Sequence, residues 1–252
     1  MNGGATLVLS AADDAALRVW NLDKRDTKDG TQPALVTQLF PHNSGIYSMH
    51  ALEDRILTAS KDASVVLSRL GQSALSIERT FDELHGAVVK CVRWRDGVTL
   101  ASGGNERQIR VSDLRSSSEA LSVPSGDVVN TLEWSPSDAN VVACSGFARS
   151  IKIFDIRQTH QPLHLLDAHV SPELRQCKSI YQFRFFGSGK YIVTAGEKSR
   201  SLTAYNARSG ATLSRGSVGC DPTAIAVDGA NTQLVAAAVD RQVHFYRPVF
   251  VD

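Results

Sequence analysis

Four groups of residues in this 252-residue chain have the types and spacing to do chemistry. The first is GlySerGlyLys at 187–190, where backbone amides and a Lys ammonium could cradle phosphates. Arg184 stands where the first Gly of a GxxxxGK loop belongs, and Tyr191 stands where Ser or Thr would hold magnesium. The stretch therefore reads as a hairpin turn. The second group is the seven His, with many Ser and Asp, from which an acid–base or nucleophilic set could be drawn. No GxSxG or HExxH arrangement marks one, so no catalytic residue is assigned. The third is the four cysteines at 91, 144, 177 and 220. They form no CxxC pair, which excludes zinc spacing and a dithiol redox motif. They read as reduced thiols, and neither a metal nor a cofactor is expected. The fourth group is three arginines in matching contexts: Ser112-Asp113-Leu114-Arg115, Phe154-Asp155-Ile156-Arg157 and Tyr205-Asn206-Ala207-Arg208. A guanidinium presents five donors in a rigid fork, suited to carboxylates and to interface ion pairs. Each Arg can serve a partner protein, or simply pair with its neighbour Asp113 or Asp155.

Composition narrows the partners. With 27 Lys and Arg against 26 Asp and Glu, the chain has no surplus of positive charge to neutralise a run of phosphates. Neither nucleic acid nor an acidic membrane is an expected partner. The longest apolar run, Leu234 to Val239, is far shorter than the roughly 20 residues a spanning helix needs. The N-terminal stretch has no basic segment ahead of its apolar residues and meets Asp13 and Asp14 at once, unlike a secretory leader. A cytoplasmic or nuclear location is expected.

The elements that position these residues follow from a repeat. LSAADDAALRVWNL reads as a strand ending at Ser10, an acidic turn at Asp13 and Asp14, and a second strand closing on Trp20. The same pattern returns through the chain, placing Ser68, Ser112, Phe154, Tyr205 and Tyr246 where the first copy has Trp20. The spacings are 48, 44, 42, 51 and 41 residues, a period that belongs to stacked β units. An apolar strand with residues three and then two apart precedes each of the last five hairpins: Ile46, Met49, Ala51; Val89, Val92, Trp94; Val129, Leu132, Trp134; Ile180, Phe183, Phe185; Pro222, Ile225, Val227. Turn formers such as SerProSerAsp at 135–138 separate the two elements. Only SPELRQ from Ser171 carries a helix start, with Ser as N-cap and Pro172 at the first helical position.

These residues resemble the WD-repeat β-propeller family, and the likeness runs from Thr6 to Pro248 as a single domain over 1–252. The resemblance implies an all-β fold of six recognisable repeats, the first lacking its innermost strand, in a ring of six or seven blades. It also implies blade-tying sets of His, Ser or Thr, Asp and Trp. The matching positions are Ser10, Asp14 and Trp20; His42, Thr58 and Asp62; and His85 and Ser102, with Glu106 in the Asp place. His169 occupies a related place, and no repeat has all four residues. The fourth repeat, with Cys144, Ala148 and Phe154, is expected to rely on apolar packing. The chain opens in a second strand and ends in or just after a third, which implies a fragment or isoform of a longer propeller. Its sheet edges would then be open to association, unless Val249 to Val251 pairs as an outer strand.

The three Arg-bearing turns resemble the WDxR pattern of substrate receptors of cullin-RING ubiquitin ligases. On that resemblance Arg115, Arg157 and Arg208, with Asp113 and Asp155, would face an adaptor. The expected function is a noncatalytic protein-interaction scaffold, either such a receptor or a structural subunit of an RNA-processing, trafficking or chromatin assembly. The charged residues at the turns are mixed in sign, which suits protein partners better than polyanions. The HVSPELRQCKS insertion between His169 and Ile180 lengthens one repeat and is a place where binding could lie.

Overall fold

The computed structural model describes residues 5–25, 32–72, 74–116, 120–177, 181–227 and 235–247. Ile180, the start of the Leu234 to Val239 run and the Val249 to Val251 segment lie outside them. Every described regular element is a β-strand. The strands form six antiparallel sheets, and the fold is a WD-repeat β-propeller.

The chain divides within its third sheet into two compact units: 1–106 with 110–121, and 107–109 with 122–252. The first unit holds a three-stranded sheet of β1 (Leu7–Ala11), β2 (Leu17–Arg25) and β3 (Pro33–Leu39). It is followed by a four-stranded sheet of β4 (Ile46–Leu52), β5 (Arg55–Ser60), β6 (Val65–Leu70) and β7 (Leu75–Phe81). The third sheet is built from β8 (Val89–Trp94), β9 (Thr99–Gly104), β10 (Gln108–Asp113) and β11 (Leu121–Pro124). The second unit contains a four-stranded sheet of β12 (Thr131–Trp134), β13 (Val141–Ser145), β14 (Ile151–Asp155) and β15 (His164–Leu166). Next come β16 (Phe183–Phe186), β17 (Tyr191–Ala195), β18 (Ser201–Asn206) and β19 (Thr212–Ser217), and last a three-stranded sheet of β20 (Ala224–Val227), β21 (Val235–Val239) and β22 (Gln242–Tyr246).

The spacing of three then two in the first strands has a mechanical origin. The register of β4 against β5 shifts between Ile46 and Ser48, and that of β8 against β9 between Val89 and Cys91. An extra residue there is a β-bulge, which returns the side chain three positions on to the same face. Val89, Val92 and Trp94 consequently enter one core with Leu57, Ala59, Val65, Leu67 and Leu100 of the neighbouring strands. Ala51, expected to share the face of Ile46 and Met49, is instead exposed at the end of β4.

The cores lie between facing sheets. Ala143, Ile151 and Ile153 of one sheet pack with Phe183, Phe185 and Tyr205 of the next, and Phe186 and Val193 pack with Ile225, Val235 and Ala237. Middle strands such as β5 and β9 are almost wholly buried, whereas every residue of the outermost β19 is exposed. That gradient is what sheets packed face to face with one free outer strand require.

SPELRQ does not continue into a helix. Leu174 N–H donates to Ser171 O at 3.1 Å, a single turn, and Cys177 N–H then donates to Phe147 O at 2.8 Å. Cys177 itself joins the core. The backbone is drawn across to the preceding loop, and the local helix start is overridden by packing.

Candidate functional site

The polar residues picked from the repeat gather around the hairpins that the repeat marks, β1–β2, β5–β6 and β9–β10. In the first sheet, Trp20 Nε1–H donates to Ser10 Oγ at 2.8 Å, because β1 and β2 pair with Ser10 opposite Arg18. Asp14 stays outside this pair. It accepts Ala16 N–H at 3.1 Å and holds Arg18 at 2.6 Å, capping its own turn.

The second sheet assembles the longest relay. His42 Nε2 lies 2.8 Å from Thr58 Oγ1, and its Nδ1 lies 2.8 Å from Ser64 Oγ and 3.3 Å from Asp62 Oδ2. Ser64 O–H donates to Asp62 Oδ1 at 2.7 Å, and Asp62 also accepts Asn43 N–H at 2.8 Å. A neutral imidazole satisfies the set when Thr58 O–H donates to Nε2 and Nδ1–H donates to Ser64. Burial holds His42 below the usual imidazole range, against the pull of Asp62. Ser64 is a member the sequence reading missed. At the Trp20-equivalent position, Ser68 Oγ is buried without a partner among the described residues.

In the third sheet Ser102 Oγ lies 2.8 Å from His85 Nε2, while His85 Nδ1–H donates to Glu106 Oε2 at 3.2 Å. Gly86 N–H donates to the other Glu106 oxygen. Glu106 thus holds the acid place, one methylene longer than Asp. Burial lowers the pKa of His85 despite that carboxylate, so the imidazole is neutral near pH 7.

The fourth sheet solves the same problem with a residue that the repeat does not mark. Asp127, in the loop leading into β12, accepts Ala148 N–H at 2.6 Å, so the acid comes from the opposite side of the tie. Phe154 at the Trp position is 1% exposed and packs as an apolar plug. In the fifth sheet His169 Nδ1 lies 2.9 Å from the Tyr205 hydroxyl, and its imidazole lies against Tyr181 with centroids 5.0 Å apart. Its Nε2 has no partner among the described residues. Burial, aided by Arg149 and Arg215, pushes its pKa down to about 3. Asp221, also from a loop leading into a first strand, accepts Lys198 N–H at 2.6 Å and Arg200 N–H at 2.8 Å.

The three arginine turns are not alike. Arg115 Nη2–H and Nε–H donate to the two carboxylate oxygens of Asp113 at 2.6 and 3.0 Å. Arg157 grips Asp155 in the same bidentate way, with a contact of 2.6 Å. The Arg115 fork holds Asp113 down to about 2. Both guanidinium groups stay outward, 69% and 63% exposed. The third turn has Asn206 in the Asp place. That amide oxygen caps Arg208 N–H and Ser209 N–H, both at 2.9 Å, and leaves the Arg208 side chain outward.

No protein-family model matches the chain. A histone acetyltransferase type B subunit 2 from Candida glabrata is 25% identical over 150 residues, 57% of this chain and 36% of that protein. WD repeat-containing protein 25 of Mus musculus is 35% identical over 75 residues, 29% of this chain and 14% of that protein. The chain is a WD-repeat propeller. Ribosome biogenesis protein YTM1 of Kluyveromyces lactis is a further relative, 28% identical over 112 residues, 41% of this chain and 24% of its own. The propeller matches no more than 36% of the length of these relatives.

In this propeller His42, His85 and His169 are engaged in holding sheets together. Among the described residues no group of three His, Cys, Asp or Glu is placed to hold a metal ion. GlySerGlyLys at 187–190 forms the turn between β16 and β17, with Lys190 N–H donating to Gly187 O at 3.2 Å. Asp127 and Asp221 were missed because they lie outside the hairpin that defines the repeat. Their signal is an acid within four residues of a first strand's leading apolar residue, Val129 or Ile225.

Proposed function

We propose that this propeller is a noncatalytic protein-interaction scaffold that works as a structural subunit of a multiprotein nuclear assembly, of the chromatin-handling kind. The carrying observation is the 150-residue likeness to a protein named as a subunit of a histone acetyltransferase. The engagement of His42, His85 and His169 inside the sheets supports a binding role, since the groups with acid–base capacity are turned inward to structural partners. The mixed charge of the exposed turns supports protein surfaces as ligands rather than polyanions.

A second reading, adaptor docking in a cullin-RING ligase, is favoured by one observation: Arg115 and Arg157 share the same bidentate turn and remain more than half exposed. One experiment separates the two. The intact chain and its Arg115→Ala/Arg157→Ala variant are affinity-purified from native cells and the co-purifying proteins identified by mass spectrometry. A fixed set of nuclear subunits retained on both forms supports the structural-subunit reading. A cullin adaptor lost only from the variant replaces it with the ligase reading, and recovery of no stable partner on either form refutes both.

A further inference from the structure

On the far side of the second unit, opposite the His169 tie, the sheets of β12–β15 and β16–β19 leave a cavity of about 460 Å³ between them. That volume is in the range of cavities that take small ligands or a few side chains. Its floor is apolar: Ile153 and Phe185 are 1% and 8% exposed, and Leu163 at the rim is 47% exposed. Lys190 and Arg208 also line it, on the turns that follow β16 and β18. Neither cationic group has an ion pair among the described residues, in contrast to Arg115 and Arg157, whose charge is met by Asp113 and Asp155. The one acid of the lining, Asp138, accepts Asn140 N–H at 2.9 Å within its own turn.

The walls are fixed by two close backbone approaches. At one end Gly189, with φ of +86°, lies against the neighbouring sheet's turn, where an added Cβ would stand 2.8 Å from Ser137 Oγ and 2.9 Å from Ser137 N. At the other end Gly210, with φ of +71°, lies against the His164 imidazole, and a Cβ would meet it at 3.0 Å. His164 Nε2–H donates to Arg208 O at 2.8 Å, tying the Arg208 turn to β15. Both positions call for glycine twice over, by φ and by space. The cavity is therefore held open by bonded walls, so little ordering is needed on binding.

We infer that this cavity docks an acidic linear segment of a protein partner, with an aliphatic or aromatic side chain in the Ile153–Phe185 floor and carboxylates on Lys190 and Arg208. Charge complementarity selects this occupant, because two unmatched cations at the mouth of an apolar floor call for carboxylates flanking an apolar anchor. The inference deepens the scaffold reading by naming the chemistry of one partner, and it rests on that reading.

The test uses the full chain and three fluorescein-labelled 10-residue peptides: one with a central Leu-Phe flanked by Glu and Asp, one with the acids replaced by Lys, and one with Leu-Phe replaced by Ser. A single-stranded DNA oligonucleotide serves as the polyanion control. Fluorescence anisotropy is expected to show saturable binding of the first peptide only. Lys190→Glu/Arg208→Glu should weaken it at least about tenfold, the change a lost charge-assisted contact gives. Leu163→Ser should weaken it with the cations intact, and a native circular dichroism spectrum for both variants shows that the sheets persist. Failure to bind the acidic peptide, binding unaffected by the double variant, or equal binding of DNA overturns the inference. Affinity purification with the double variant keeps the two readings apart: if the wild-type set of subunits is retained in full on Lys190→Glu/Arg208→Glu, the scaffold stands and the docking site falls.

Discussion

A single imidazole carries the clearest pH signature of this molecule. His169 is wholly buried and its Nε2 finds no partner among the described residues, so protonating it in place would bury an uncompensated charge. Its folded pKa of about 3 lies below the unfolded value near 6.5, so the unfolded chain binds the proton first. Stability is then fully present above pH 6.5 and drains as pH falls toward 3. Between pH 7 and pH 5 this one group is expected to remove about 2 kcal/mol, with His42 and His85 adding in the same direction. Urea midpoints measured across that range should fall steeply for the native chain and less steeply for His169→Gln. Equal slopes would show that the imidazole is not held neutral. Asp127 makes a second prediction at this scale. Asp127→Ala orphans Ala148 N–H and should cost about 1–2 kcal/mol, whereas Asp127→Asn keeps an acceptor and should recover most of it. A chemical denaturation midpoint that is the same for the Ala and Asn variants would remove the bond from the account.

Among the elements, the β1–β2, β5–β6 and β9–β10 turns store backbone strain. Ala15, Ala63 and Arg107 each follow the turn's acid and take φ of 61°, 71° and 61°, the left-handed region that a Cβ disfavours. Ala63→Gly should relieve that cost and, after the greater freedom of Gly in the unfolded chain, raise stability by about 0.5–1 kcal/mol. A lower Tm for Ala63→Gly would mean that the Ala63 methyl contributes packing that outweighs its strain. These turns also mark where the sequence was readable. Ser10 with Trp20, His42 with Thr58, and His85 with Ser102 could be picked out because they match the tie positions that the WD-repeat resemblance implies, and the fold brings each pair within hydrogen-bond distance. Ser64, Asp127 and Asp221 could not, because a tie across a loop can draw its acid or hydroxyl from either side and the repeat specifies only one. Strand existence was legible because apolar spacing records which face is buried, whereas the bulges in β4 and β8 that produce the three-residue step showed only in the register of the paired strands. The SPELRQ turn was misread because a good N-cap and Pro172 describe a helix start, while docking of Cys177 decides where the backbone goes.

At the scale of the whole molecule, stability resides between sheets rather than within them. Phe154, 1% exposed in β14, should cost about 3–5 kcal/mol when cut to Ala. Leu213 on the outermost β19 is 42% exposed, and its replacement by Ala should change stability by no more than about 0.5 kcal/mol. Guanidinium unfolding followed by fluorescence checks the contrast, and comparable losses at the two sites would contradict the burial gradient. The same gradient governs the thiols. Cys91, Cys144 and Cys177 are buried, and burial pushes Cys144 up to about 12 and Cys177 up to about 11, far from the reactive thiolate. Cys220 alone is partly open to solvent, in the loop ahead of β20 and next to the Asp221 that caps the Lys198 turn. A native propeller treated briefly with a maleimide should therefore take one label per chain, at that loop, without mutagenesis. The fold supplies its own single reporter position, from which partner arrival at the second unit can be followed by fluorescence in real time.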